Sequence, residues 1–136
     1  MEKLKSAIVG CGNIFPMHAD PVASLENTEL VFVCDTKKEL AEAAAKKYEC
    51  GFYTDYKKMI TENKIDVLHI CTPHYLHAEM AIYALEHGVN VLCENPMAIT
   101  YDDAIAMQKS AVSNNKTLGI IFQNRYYGAS KYIKDT

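Results

Sequence analysis

"AIVGCGNIF", Ala7 to Phe15, joins a short β-branched run to Gly10-x-Gly12 and then to a helical pattern, and this junction decides the fold. A strand that runs into two closely spaced glycines and turns at once into a helix is the opening of a βαβ unit. Gly10 permits the tight turn, and Gly12 keeps the following backbone amides clear of a Cβ. Phe15 stands where a third glycine would complete the pattern, and Pro16 falls in the first helical turn, where a missing N–H costs little. Taken alone, the glycine pair reads equally well as a bare strand-to-helix turn.

Outward from this junction the same alternation repeats. Short apolar runs predict strands at Lys5–Val9, Glu29–Cys34, Gly51–Tyr53, Val67–Cys71, Asn90–Cys93 and Thr117–Gln123. Between them, Lys38–Tyr48 places Leu40, Ala41, Ala44, Ala45 and Tyr48 at helical spacing. Leu76–His87 does the same with Met80, Ala81, Ala84 and Leu85, and Gly88 follows where a helix stops in a left-handed conformation. Thr100 is the N-cap of a further helix ending near Asn114, with Asp102 and Asp103 facing its positive end. Strands alternating with helices predict an α/β fold with a doubly wound parallel sheet. No internal repeat or linker interrupts the pattern.

Asp35 turns the glycine junction into a candidate site. It ends the second apolar run, roughly 20 residues past the glycines, where a carboxylate accepts hydrogen bonds from the adenosine ribose hydroxyls of a bound dinucleotide. Backbone at Gly10, Gly12, Asn13 and Ile14 would then meet the pyrophosphate at the positive end of the first helix. The same carboxylate repels a 2′-phosphate, which favours NAD, while Lys37 and Lys38 offset that repulsion and keep NADP open. The competing reading is an aspartate capping the helix of "DTKKELAEAAAKK", and the two roles are compatible.

Composition narrows the class. The chain has 136 residues, 49% apolar and 23% charged, with a formal net charge of −3. These are the proportions of a folded protein with room for a core. Lysines scattered in pairs form no stripe for nucleic acid. No run matches a signal peptide or a membrane span, so a cytoplasmic protein is expected. Cys11, Cys34, Cys50, Cys71 and Cys93 are an odd set without a CxxC pair, the pattern of reduced thiols rather than of a disulfide framework or zinc site. His69, inside an apolar run, reads as a core histidine with a satisfied ring nitrogen.

"IDVLHICTPHYLHAEMAIYALEHGVNVLCENPMA", then a helix and "FQNRY", resembles the N-terminal domain of the glucose-fructose oxidoreductase and inositol dehydrogenase (Gfo/Idh/MocA) family, and the likeness extends from the Gly10 turn to Tyr126. The resemblance implies a Rossmann domain with sheet order 3-2-1-4-5-6. It implies cofactor contacts from Thr36 beside Asp35, from the turn Cys71, Thr72 and Pro73, and from Glu94 and Asn95. His77 stands open between cofactor contact and a bond to nearby backbone, and His74 occupies a position where the family more often has asparagine. The family pattern Glu-Lys-Pro reads Glu94-Asn95-Pro96 here, so an amide replaces a proton-handling lysine.

Family members continue into a larger α/β domain that supplies the substrate cavity. The expected organisation is therefore a Rossmann domain over residues 1–124 and a short helix over 125–136 at the start of that second domain. With no catalytic residue and no metal ligand set assigned, the chain is expected to be the dinucleotide-binding part of a sugar or polyol dehydrogenase, inactive alone. Its partners would be the dinucleotide, a separate substrate domain or a second copy of itself. The alternatives are a self-standing NAD-binding module and a truncated or engineered fragment, neither with a redox role.

Overall fold

The computed structural model describes residues 3–12, 14–94 and 100–121. In chain order the elements are β1 (Leu4–Val9), α1 (Phe15–Ser24), β2 (Thr28–Cys34), α2 (Lys38–Tyr48), β3 (Gly51–Tyr53) and α3 (Tyr56–Glu62). After these come β4 (Val67–Ile70), a 3-10 turn (His74–Leu76), α4 (His77–Glu86), β5 (Asn90–Glu94), α5 (Tyr101–Ser113) and β6 (Leu118–Ile121).

The six strands form one parallel sheet in the order β3-β2-β1-β4-β5-β6, the predicted Rossmann arrangement. Chain order reverses at β1 and β4, which lie side by side with Ile8 opposite His69 and Val9 opposite Ile70. Alternation along each strand sends side chains to two faces. Ala7, Val9, Leu68, Ile70, Val91 and Cys93 pack with Met59, Met80, Leu85 and Met107 of α3, α4 and α5. Ile8 and Val33 point the other way, into a cluster with Phe15, Ala19 and Val22 of α1 and Ala44 and Ala45 of α2. Burial on both faces explains why the strands read as continuous apolar runs.

Helix ends follow the local chemistry. Thr100 Oγ1 accepts from the Asp103 N–H at 3.0 Å, the expected N-cap. Gly88 has φ +81°, with its N–H on Leu85 O and the Val89 N–H on Ala84 O, the paired bonds of a Schellman stop after α4. Glu49 and Asn115 hold the equivalent left-handed positions after α2 and α5, at φ 56° and 55°.

Several boundaries differ from the sequence reading. α3 has no counterpart among the helices expected from the sequence. Its seven residues are too few for periodicity to show, yet the Asp55 carboxylate caps it by accepting from the Lys57 N–H at 3.0 Å, and Tyr56, Met59 and Ile60 are buried. β4 stops at Ile70, and α4 begins one residue later than Leu76 because the 3-10 turn takes up the loop. The helix expected over 125–136 lies outside the described residues. Among the described residues, no helix is long and apolar enough to cross a membrane.

Candidate dinucleotide site

Where β1 and β4 part, their C-terminal ends open a cleft of ≈ 790 Å³, within the usual range for small-molecule sites. Gly10, Gly12, Asp35 and Thr36 line one side and Cys71, Thr72 and Pro73 the other, so seven of the residues singled out in the sequence meet there. α3 adds Tyr56 and Lys57 to the wall, a contribution missed along with the helix.

Gly10 is required by the protein itself. Its φ is +98°, and a Cβ there would stand 2.7 Å from the Cys71 carbonyl carbon and 2.9 Å from the Thr72 nitrogen. The Gly10 N–H donates to Cys34 O at 2.7 Å and the Cys71 N–H to Val9 O at 2.8 Å, which draws the β1 turn against β2 and β4. Gly12 is different, because a Cβ there would meet nothing within 4 Å among the described residues. The protein leaves that space open, and it lies at the start of α1, where backbone N–H groups and the helix dipole favour an anion. Phe15, at the absent third glycine, is buried with its ring edge-on to Tyr48, centroids 5.6 Å apart. An aromatic contact to α2 thus takes the place that close backbone packing would have at a glycine.

Asp35 serves two backbones at once. Oδ2 accepts from the Cys11 N–H between the two glycines, and Oδ1 accepts from the Lys37 N–H ahead of α2, both at 2.9 Å. Each carboxylate oxygen has a second acceptor direction, so these bonds orient the group and leave it able to take hydroxyl donors. The expected helix cap is not formed, since the N-cap of α2 is Lys37 and no side chain bonds the first turn, while the acceptor directions left on Asp35 are open to ribose hydroxyls.

Among the described residues, Ile14, His77 and Glu94 do not line the cleft. Ile14 is the half-buried residue preceding α1. His77 is buried with Nε2 2.8 Å from Thr72 O, so its ring braces the loop from behind. Asn13 and Asn95 lie outside the described residues. Glu94 ends β5 only 4% exposed, and its Oε1 has no hydrogen-bond partner among the described residues.

Behind Glu94 stands a group that the sequence reading missed. His18 Nε2 is hydrogen-bonded to Glu94 Oε2, and His18 Nδ1 lies 2.9 Å from His69 Nδ1. His69 is thus a core histidine with a bonded ring nitrogen, and burial followed by its neighbour His18 lowers its pKa to about 4. His18 could have been found, since Phe15, His18, Ala19 and Val22 repeat at the spacing of a buried helix face. Cys11, Cys34 and Cys93 are buried, and burial pushes their thiols up to about 12, with Asp35 adding to the rise at Cys11, Cys11 and Asp35 at Cys34, and Glu94 at Cys93. None offers a thiolate at neutral pH.

Comparison with known proteins decides the family. Residues 4–122 match the family model described as "Oxidoreductase family, NAD-binding Rossmann fold" (GFO_IDH_MocA). The chain belongs to the Gfo/Idh/MocA oxidoreductase family. Among Gfo/Idh/MocA relatives, D-glucoside 3-dehydrogenase of Escherichia coli (strain K12) is 35% identical over 125 residues, 90% of this chain and 36% of that protein. Inositol 2-dehydrogenase of Salmonella typhimurium (strain LT2) is 35% identical over 127 residues, 90% of this chain and 38% of that protein. The crystal structure of the WlbA dehydrogenase from Bordetella pertussis, in complex with NADH and UDP-GlcNAcA, superposes with a TM-score of 0.91 at 29% identity, over 99% of this chain and 41% of that one. The chain thus spans about two fifths of the length of these relatives. It is the family's NAD-binding Rossmann domain.

Proposed function

We propose that this chain binds NAD in preference to NADP and serves as the cofactor half of a dehydrogenase acting on a sugar or polyol. The observation that carries the reading is the carboxylate of Asp35, held by the Cys11 and Lys37 amides at 2.9 Å on the same side of the cleft as the open space over Gly12. An oriented anion there accepts from ribose hydroxyls and repels a 2′-phosphate. The adenosine half lies against Asp35 and Thr36, and the pyrophosphate crosses at Gly12. The second nucleotide half then extends over the ends of β4 and β5, past Thr72 and Pro73. When bound, the dinucleotide supplies the hydride acceptor.

Carbohydrate names among the relatives support the substrate class. Turnover requires a substrate-binding wall beyond these residues, and Asn95 in place of the family lysine removes a charge and a proton relay. Calorimetric titration of the chain with NAD and with NADP tests the reading. NAD is expected to bind the more tightly, and Asp35→Asn to lose roughly 10- to 100-fold of NAD affinity, the strength of a hydrogen bond to a charged group. Tighter binding of NADP, or an unchanged affinity in Asp35→Asn, would refute the assignment.

A further inference from the structure

Along β5, Val91 and Cys93 belong to the cluster under α4 and α5, so alternation turns Leu92 and Glu94 to the face that carries α1 and α2. The bond from His18 of α1 to Glu94 Oε2 places Glu94 on that face independently. The apolar cluster there takes its members from β1, β2, the two helices and the adjoining turns. Leu92 is half-buried and belongs to neither cluster. Its neighbour in β6 is Gly119, where a Cβ would lie 2.9 Å from Leu92 Cδ1, so the leucine reaches across the β6 backbone. Among the described residues, no apolar cluster covers Leu92 and Gly119 on this side of the sheet.

The polar group next to this patch is incomplete as well. Glu94 is 4% exposed, and its Oε1 is fully buried with no hydrogen-bond partner among the described residues. Native interiors rarely leave a carboxylate oxygen without a donor, because its lost hydration is not replaced.

The sequence supplies a donor close at hand. Glu94 pairs with Ile121 across β5 and β6, at a strand spacing of about 4.8 Å. From Ile121 the chain continues as "FQNRYYGASKYIKDT", Phe122 to Thr136. Arg125 is the first cation after the strand, and a guanidinium matches a carboxylate better than any other donor. In a helix, Phe122, Tyr126, Ala129 and Ile133 fall at the i, i+4, i+7, i+11 spacing of one apolar stripe, with Arg125 at its border and Lys131, Lys134 and Asp135 on the far side.

We propose that residues 122–136 dock as a helix on the α1 face of β5 and β6, covering Leu92 and Gly119, with Arg125 donating to Glu94 Oε1. The charge on Arg125, the apolar spacing and the end of β6 beside Glu94 favour this segment over a second copy of the chain. Docking needs no dinucleotide, so it stands or falls separately from the cofactor site.

The test is amide hydrogen exchange and urea unfolding of the 136-residue chain without ligand. Amides of residues 129–133 are expected to exchange at least about tenfold more slowly than in an unstructured chain, at every protein concentration. Leu92→Lys, which sets a charge under the apolar stripe, is expected to remove that protection while β1 and β4 keep theirs. In a double-mutant cycle, Glu94→Gln and Arg125→Met are expected to show a coupling of at least about fivefold in the unfolding equilibrium constant. Exchange at the unprotected rate, or protection that survives Leu92→Lys, would overturn docking on this face. Protection that grows with protein concentration would overturn it too and give the face to a second copy. Effects of Glu94→Gln and Arg125→Met that simply add would overturn the pairing of Arg125 with Glu94. Exchange from the unsubstituted chain needs no variant, so a substitution that fails to fold leaves the docking test in place.

Discussion

Gly10 and Gly12 look alike in the sequence but answer to different constraints. At Gly10 a side chain would enter the Cys71–Thr72 peptide from a left-handed backbone position, so Gly10→Ala is expected to destabilise the fold by at least about 1–2 kcal/mol in urea unfolding. At Gly12 the added methyl meets no atom of the described residues within 4 Å, and Gly12→Ala is expected to leave stability within about 0.5 kcal/mol of the original. The cost there falls on the ligand, with dinucleotide affinity expected to drop about tenfold or more as the methyl enters the anion's space. A large stability loss in Gly12→Ala would show that its constraint is structural after all. The site's contours were legible at this scale because glycine, aspartate and the Thr72-Pro73 turn announce backbone geometry directly. The His18–Glu94 contact was not, since it spans α1 and β5 and depends on how the helix sits on the sheet.

At the scale of elements, length and helix stops decide what a sequence reveals. α2 runs over the predicted residues because eleven residues carry a full apolar face, whereas α3, with seven, escaped notice and took part of the cleft wall with it. The stop after α2 also shows a local conflict. Glu49 is exposed and sits at φ 56°, where a side chain is strained, while the Cys50 N–H closes the Schellman bond to Ala45 O at 3.0 Å. Glycine in that position removes the strain without touching a packed group, as Gly88 does after α4. Glu49→Gly is therefore expected to raise the unfolding free energy by about 1 kcal/mol and the melting temperature by a few degrees. A lower melting temperature would mean that the glutamate makes a compensating contact.

For the whole molecule, the doubly wound sheet buries His69 of β4 against His18 of α1, where two halves of the chain meet, and this links global stability to pH. The strand order was legible because burial on both faces leaves uninterrupted apolar runs, but which polar residues share a face depends on packing between distant elements. His69 is the clearest case: an apolar run hides it, and α1 brings His18 against it. Burial and the neighbouring His18 lower its pKa from 6.5 to about 4, so between those values the unfolded chain binds a proton that the folded His69 refuses. Stability from this group is therefore complete above about pH 6.5 and declines as pH falls toward about 4, with a slope of up to about 1.4 kcal/mol per pH unit. Urea unfolding across that window is expected to show this loss before most carboxylates titrate. His69→Leu abolishes the proton difference at that residue and is expected to flatten the slope even though it lowers stability at neutral pH by leaving His18 Nδ1 without its partner. A slope as steep in His69→Leu as in the unsubstituted chain would place the linkage on another group.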